Sequence, residues 1–97
     1  MATLIVVSTP RDGEDEALMS YVEQVVPMIL NAGGVPVKRL RVTDVVHGSP
    51  DAGFVFVADF KDASTVRQLF ASAEYKALIP VRDQGFAAMD IFITEDN

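Results

Sequence analysis

The chain has 97 residues, enough for one domain with a modest core, and 49% of them are hydrophobic, which excludes an intrinsically disordered segment. A net charge of −6 opposes binding to nucleic-acid phosphates or to anionic lipid, so neither nucleic acid nor membrane is an expected partner. The absence of cysteine excludes disulfides, thiol catalysis and cysteine-ligated metal centres.

Thr3-Leu4-Ile5-Val6-Val7 reads as a first strand, apolar on both faces. No basic segment followed by a long apolar run precedes it, so neither a signal peptide nor a membrane span is expected, and a cytoplasmic location is. Ser8 to Gly13 carries turn chemistry. Asp12 is the expected N-cap of a first helix, with Glu14, Asp15 and Glu16 complementing its dipole. Leu18, Tyr21 or Val22, Val25, Ile29 and Leu30 then recur at helical spacing to about Asn31. Pro27 falls inside this pattern and predicts a kink near Glu23 to Val26, and Gly33-Gly34 supplies the stop.

Val35 to Val46 reads as a second strand and is the most basic part of the chain, with Lys38, Arg39 and Arg41. The turn cluster His47 to Ala52 joins it in a hairpin to Gly53–Phe60, the most strand-like run. Phe54, Phe56, Ala58 and Phe60 share one face of that run; Val55, Val57 and Asp59 share the other. A hairpin turning around Ser49-Pro50 sets Asp59 opposite Leu40 or Arg41 and predicts an ion pair with Arg39 or Arg41, because a buried carboxylate needs a partner. Asp62 is the expected cap of a second helix, Ala63 to about Ala71, with Val66, Leu69 and Phe70 inward. Ser72 caps a re-initiated helical segment running to about Arg82, disturbed at Pro80. Ala88 to Thr94 is the last strand, and Glu95-Asp96-Asn97 a solvated tail.

The order β-α-β-β-α-β defines a ferredoxin-like α+β sandwich occupying residues 1–97 as a single domain. Two helices cover one face of a four-stranded antiparallel sheet, with the first and third strands central. The other face stays apolar, with a footprint of roughly 400 Å². A monomer rarely exposes so large an apolar patch without using it. Two such faces joined remove roughly 800 Å² from water, worth on the order of 20 kcal/mol gross, against an association cost of about 4 to 15 kcal/mol. A homodimer joined sheet to sheet is the expected assembly.

This pattern resembles the dimeric α+β barrel superfamily and, within it, the uncharacterised bacterial domain-of-unknown-function family 1330. Gly33-Gly34, Phe60, Ser72-Ala73-Glu74-Tyr75 and Arg82 carry the likeness, which covers nearly the whole chain. The family usually has proline after that serine, where this chain has Ala73, and an aromatic pair where this chain has Leu69-Phe70. The resemblance brings no catalytic residues with it. The wider superfamily includes cofactor-free monooxygenases, muconolactone isomerase-like enzymes and haem-binding proteins, so it implies a small-molecule cleft rather than one reaction.

Five polar residues stand out, each with a structural role beside the functional one. Arg82 can anchor a ligand carboxylate or satisfy helix carbonyls. Tyr75 can donate its hydroxyl into a cleft or sit at the edge of the core, and Glu74 can act as a base or complement a helix dipole. His47, the sole histidine, and Asp59 are the two candidate proton carriers. No cofactor and no haem or transition metal is expected, since one histidine and no cysteine supply too few ligands. The functional expectation is a homodimer binding a small organic ligand between sheet and helices. The alternative is a cofactor-free isomerase or monooxygenase of a small aromatic or lactone compound, with Arg82 and Tyr75 orienting it and Asp59 or His47 moving the proton.

Overall fold

The β-branched and aromatic runs of the chain form four strands in the computed structural model, which describes residues 1–97. These are β1 (Ala2–Pro10), β2 (Val35–Arg41), β3 (Phe54–Phe60) and β4 (Phe86–Glu95). Helix α1 (Asp15–Asn31) links β1 to β2, and α2 (Ala63–Ala71), α3 (Ala73–Lys76) and α4 (Ile79–Gly85) link β3 to β4. The sheet is antiparallel with order β2-β3-β1-β4, so the first and third strands are central, as the sequence predicts. No helix is long and apolar enough to cross a membrane.

One face of the sheet carries the core. Ala2, Leu4, Ala58 and Phe60 are buried on it beneath Tyr21, Val25 and Ile29 of α1, Val66 and Leu69 of α2, and Tyr75 and Leu78. Gly34 lets the chain turn from α1 into β2 against this core. A Cβ there would fall 2.6 Å from Phe60 Cζ and 2.7 Å from Ile29 Cγ2. Gly85 does the same for α4, where a Cβ would lie 2.6 Å from the Leu18 backbone nitrogen. On the other face lie Thr3, Ile5, Val7, Val55, Val57, Asp59 and Phe92, none of them buried and Phe92 49% exposed. No helix of the chain covers that face.

Several local expectations are corrected. The α1 cap is Glu14, not Asp12, and it makes no capping hydrogen bond. Its carboxylate instead accepts from Gln84 Nε2 at 3.1 Å, tying the start of α1 to α4. Pro27, by contrast, stands inside α1 without ending it, as its apolar spacing predicts. Pro80 sits in the first turn of α4, where its missing N–H costs nothing, so it starts a helix rather than disturbing one. The strand after α1 stops at Arg41 rather than Val46, and residues 42–53 form a longer connection that includes the turn at Pro50-Asp51.

The register of β2 is also corrected. Asp59 faces Val35, not Leu40 or Arg41. The pairing slips between Pro36 and Lys38, where Val37 is an unpaired extra residue. Continued without that bulge, the Val35–Asp59 register would set Lys38 opposite Phe56 and Leu40 opposite Phe54. With it, Arg39 faces Phe56 and Arg41 faces Phe54. Facing residues share a side of the sheet, so both arginines stand on the helix side, away from Asp59.

Candidate functional site

The bulge matters because α1 does not close down on the β2–β3 edge of the sheet. A cleft of about 790 Å³ separates them, and 15 of its 20 lining residues are hydrophobic. Its floor crosses the sheet through Arg41, Phe54, Ser8 and Met89, with Arg39, Phe56 and Val6 in the next row. Leu18, Tyr21, Val22, Val25, Val26 and Ile29 of α1 form the facing wall. The mouth is marked by exposure: Met19 (50%) and Phe54 (45%) are the large apolar groups left open there. Tyr21, Val25, Ile29, Ser8 and Phe86 are its buried members.

Polar chemistry reaches this cleft through Tyr21. Its hydroxyl lies 3.0 Å from that of Tyr75 and 3.7 Å from Met89 Sδ. Arg82 Nη1 donates to the Tyr75 hydroxyl at 3.2 Å, while Arg82 Nε donates to Asp83 Oδ1 at 3.0 Å. A guanidinium only donates, so Tyr75 accepts from Arg82 and can give its own proton to Tyr21. The Tyr21 proton is then directed toward the thioether of Met89, a weak acceptor. Aromatic edges fix the rings: Tyr21 meets Phe86 at 5.6 Å between centroids and Phe70 meets Tyr75 at 4.7 Å, both T-shaped.

Burial, reinforced by the hydrogen bond with Tyr75, holds the Tyr21 phenol far above the ordinary tyrosine range, with Arg82 acting in the opposite sense. Tyr21 is therefore a neutral hydrogen-bond donor at physiological pH. Burial works against the charge of Arg82, but its hydrogen bonds to Tyr75 and Asp83 outweigh this and hold the guanidinium above its usual range.

The structure brings Tyr75 and Arg82 together, but neither lines the cleft; both reach it through Tyr21. Ser72 positions them by accepting from the Tyr75 backbone N–H at 3.1 Å. Glu74 lies exposed in the first turn of α3. Asp59 stands on the helix-free face, where it accepts from Thr3 Oγ1 at 2.8 Å and has no arginine partner in the chain. Thr94 Oγ1 donates to the Thr3 carbonyl at 2.8 Å beside it. His47 lies in the connection 42–53, at a separate concavity of about 450 Å³ formed by that segment itself. The residues missed by sequence reasoning are Tyr21, read only as a stripe position, and Arg39 and Arg41, assigned to the wrong face. Pro36 was the available signal for the latter, because a proline inside a strand marks an edge or a bulge.

The model of a domain of unknown function, DUF1330, matches residues 3–97. The chain belongs to the DUF1330 family. A comparison with curated proteins returns no match. Among solved structures, a protein of unknown function from Rhodopseudomonas palustris, RPA0582, superposes with a TM-score of 0.81 at 14% identity, covering 99% of this chain and 82% of that one. A dimeric protein of unknown function and ferredoxin-like fold from Bacteroides fragilis gives 0.64 at 13% identity, covering 98% and 95%. An uncharacterised NIPSNAP domain protein from Burkholderia xenovorans also gives 0.64, at 15% identity, covering 100% and 95%. At these identities the likeness is one of fold: this DUF1330 chain has the ferredoxin-like α+β architecture.

Proposed function

We propose that this DUF1330 protein is a cytoplasmic homodimer that binds a small organic molecule in the cleft between α1 and the β2–β3 edge of the sheet. The observation that carries the reading is the cleft itself, about 790 Å³ and mainly apolar, with a buried donor on its wall. That volume and composition suit a ligand of drug-like size, held by apolar contact and oriented by a few polar groups. Tyr21 supplies the orienting donor, because a ligand oxygen accepts its proton better than the Met89 thioether does. Tyr75 and Arg82 are positioning residues that hold and polarise that hydroxyl. The homodimer covers the helix-free face, whose Ile5, Val7, Val55, Val57 and Phe92 have no cover within the chain. The dimeric description of the Bacteroides fragilis neighbour supports such an assembly.

A thermal-shift screen against aromatic acids, lactones, quinones and haem tests the binding reading. At a hundredfold excess over its dissociation constant, a true ligand stabilises the protein by about 2.7 kcal/mol. At least one organic compound should raise the melting temperature saturably, haem should not, and Val22→Trp, which fills the cleft, should abolish the rise. A full screen without a saturable hit, or a hit unaffected by Val22→Trp, would refute the assignment.

A further inference from the structure

Glu23, Arg39 and Arg41 are the charged residues on the cleft wall, so two arginines less one glutamate leave it one net positive charge in a chain whose net charge is −6. Both arginines are exposed, and neither guanidinium makes a hydrogen bond or ion pair within the chain, whose one salt bridge joins Arg82 to Asp83. They are two residues apart on one side of a strand, about 7 Å, close enough for both forks to converge on a single carboxylate. The Val37 bulge is what places them there, in positions that an unbroken register would have given to Lys38 and Leu40. Behind them the apolar wall of α1 runs from Leu18 to Ile29, about 16 Å of helix. Phe54, Phe56 and Val6 form the floor along its length.

The geometry points to a ligand class: a hydrophobic carboxylic acid with an elongated body. Its carboxylate is held at the mouth by Arg39 and Arg41, and its apolar body lies along α1 over Phe54 and Phe56. This deepens the proposed function and rests on the cleft being the binding site. A guanidinium matches a carboxylate with two parallel hydrogen bonds, and a mouth flanked by Met19 and Phe54 is drier than open surface, which strengthens them. Glu23, across the mouth on α1, repels a second carboxylate and favours a monoacid.

Isothermal titration of the full chain with decanoate and with 1-decanol, which share a body and differ in charge, tests the assignment. Decanoate should bind about tenfold tighter than decanol, the discrimination expected of charge-assisted hydrogen bonds at a partly desolvated mouth. The double variant R39Q/R41Q, altered at two exposed positions, should lower decanoate affinity to that of decanol and leave decanol unchanged. Lys38→Gln, on the opposite face, should preserve the preference. Equal affinities in the unmodified protein, or a preference that survives R39Q/R41Q, would overturn the carboxylate assignment while leaving the cleft as a binding site. Binding of neither probe, or binding undiminished by Val22→Trp, would overturn the cleft reading and this inference with it.

Discussion

Tyr21 joins the core to the site. It is buried, lies edge-on to Phe86 and Tyr75, and its hydroxyl, through that of Tyr75, links Arg82 to the cleft wall. Tyr21→Phe should cost about 1 kcal/mol of stability in denaturant unfolding, the usual net value of one hydrogen bond. The Arg82–Tyr75 bond does not involve it and should survive. The phenol also has a pH signature. Its folded pKa is raised above the unfolded value of about 10, so its contribution to stability is complete below that pH and is lost as pH rises toward the folded value. An absorbance titration should show the Tyr21 phenolate appearing only with alkaline unfolding; ionisation near pH 10 in the folded protein would contradict its burial. At this scale the sequence is legible for apolar positions and poorly so for polar ones. Tyr21 falls on the helical stripe with Val25 and Ile29, so its spacing announces burial, while its hydroxyl depends on Tyr75, distant in the chain. Asp59 misled for the same reason. Its partner, Thr3, lies on a strand whose pairing local spacing does not reveal.

Among the elements, those set by local chemistry were readable. Asp62 accepts from the Thr65 N–H at 2.8 Å and Ser72 from the Tyr75 N–H, so both helix starts fall where side-chain capping predicts. The backbone N–H of Thr65 holds the Asp62 carboxyl below its usual range, so this cap strengthens folding above the unfolded pKa and is lost as pH falls through the folded one. Ser72→Ala should cost about 1 kcal/mol in thermal unfolding and weaken ligand binding as well, since Ser72 seats Tyr75. A variant with full stability and full affinity would show that the short helix α3 does not depend on this cap. Asp12 failed as a cap because α1 starts after Gly13, whose positive φ of 78° redirects the chain. The face presented by β2 was not readable either. One extra residue inverts the alternation of everything beyond it, so Lys38, Arg39, Leu40 and Arg41 exchange sides on the strength of Val37 alone.

For the molecule as a whole, the doubly apolar β3 strand predicted both the sandwich and its uncovered face. Phe56, Ala58 and Phe60 pack under the helices, and Val55 and Val57 look the other way. Light scattering should give a dimer at micromolar concentration. Val57→Lys, mid-strand on the helix-free face, should give a destabilised or aggregating monomer, because a charge without a partner is costly in an apolar interface. An intact Val57→Lys dimer of unchanged stability would place the interface elsewhere. The proposed function gives the two faces separate tasks, assembly on one and binding on the other. The measurement that tests this division most directly is an amide chemical-shift titration of the isotopically labelled protein with decanoate. The account predicts saturable shifts at Tyr21, Val25, Arg39, Arg41 and Phe54, with Ile5, Val57 and Asp59 unmoved. Shifts centred on the helix-free face or around His47, with the α1 cleft silent, would contradict it.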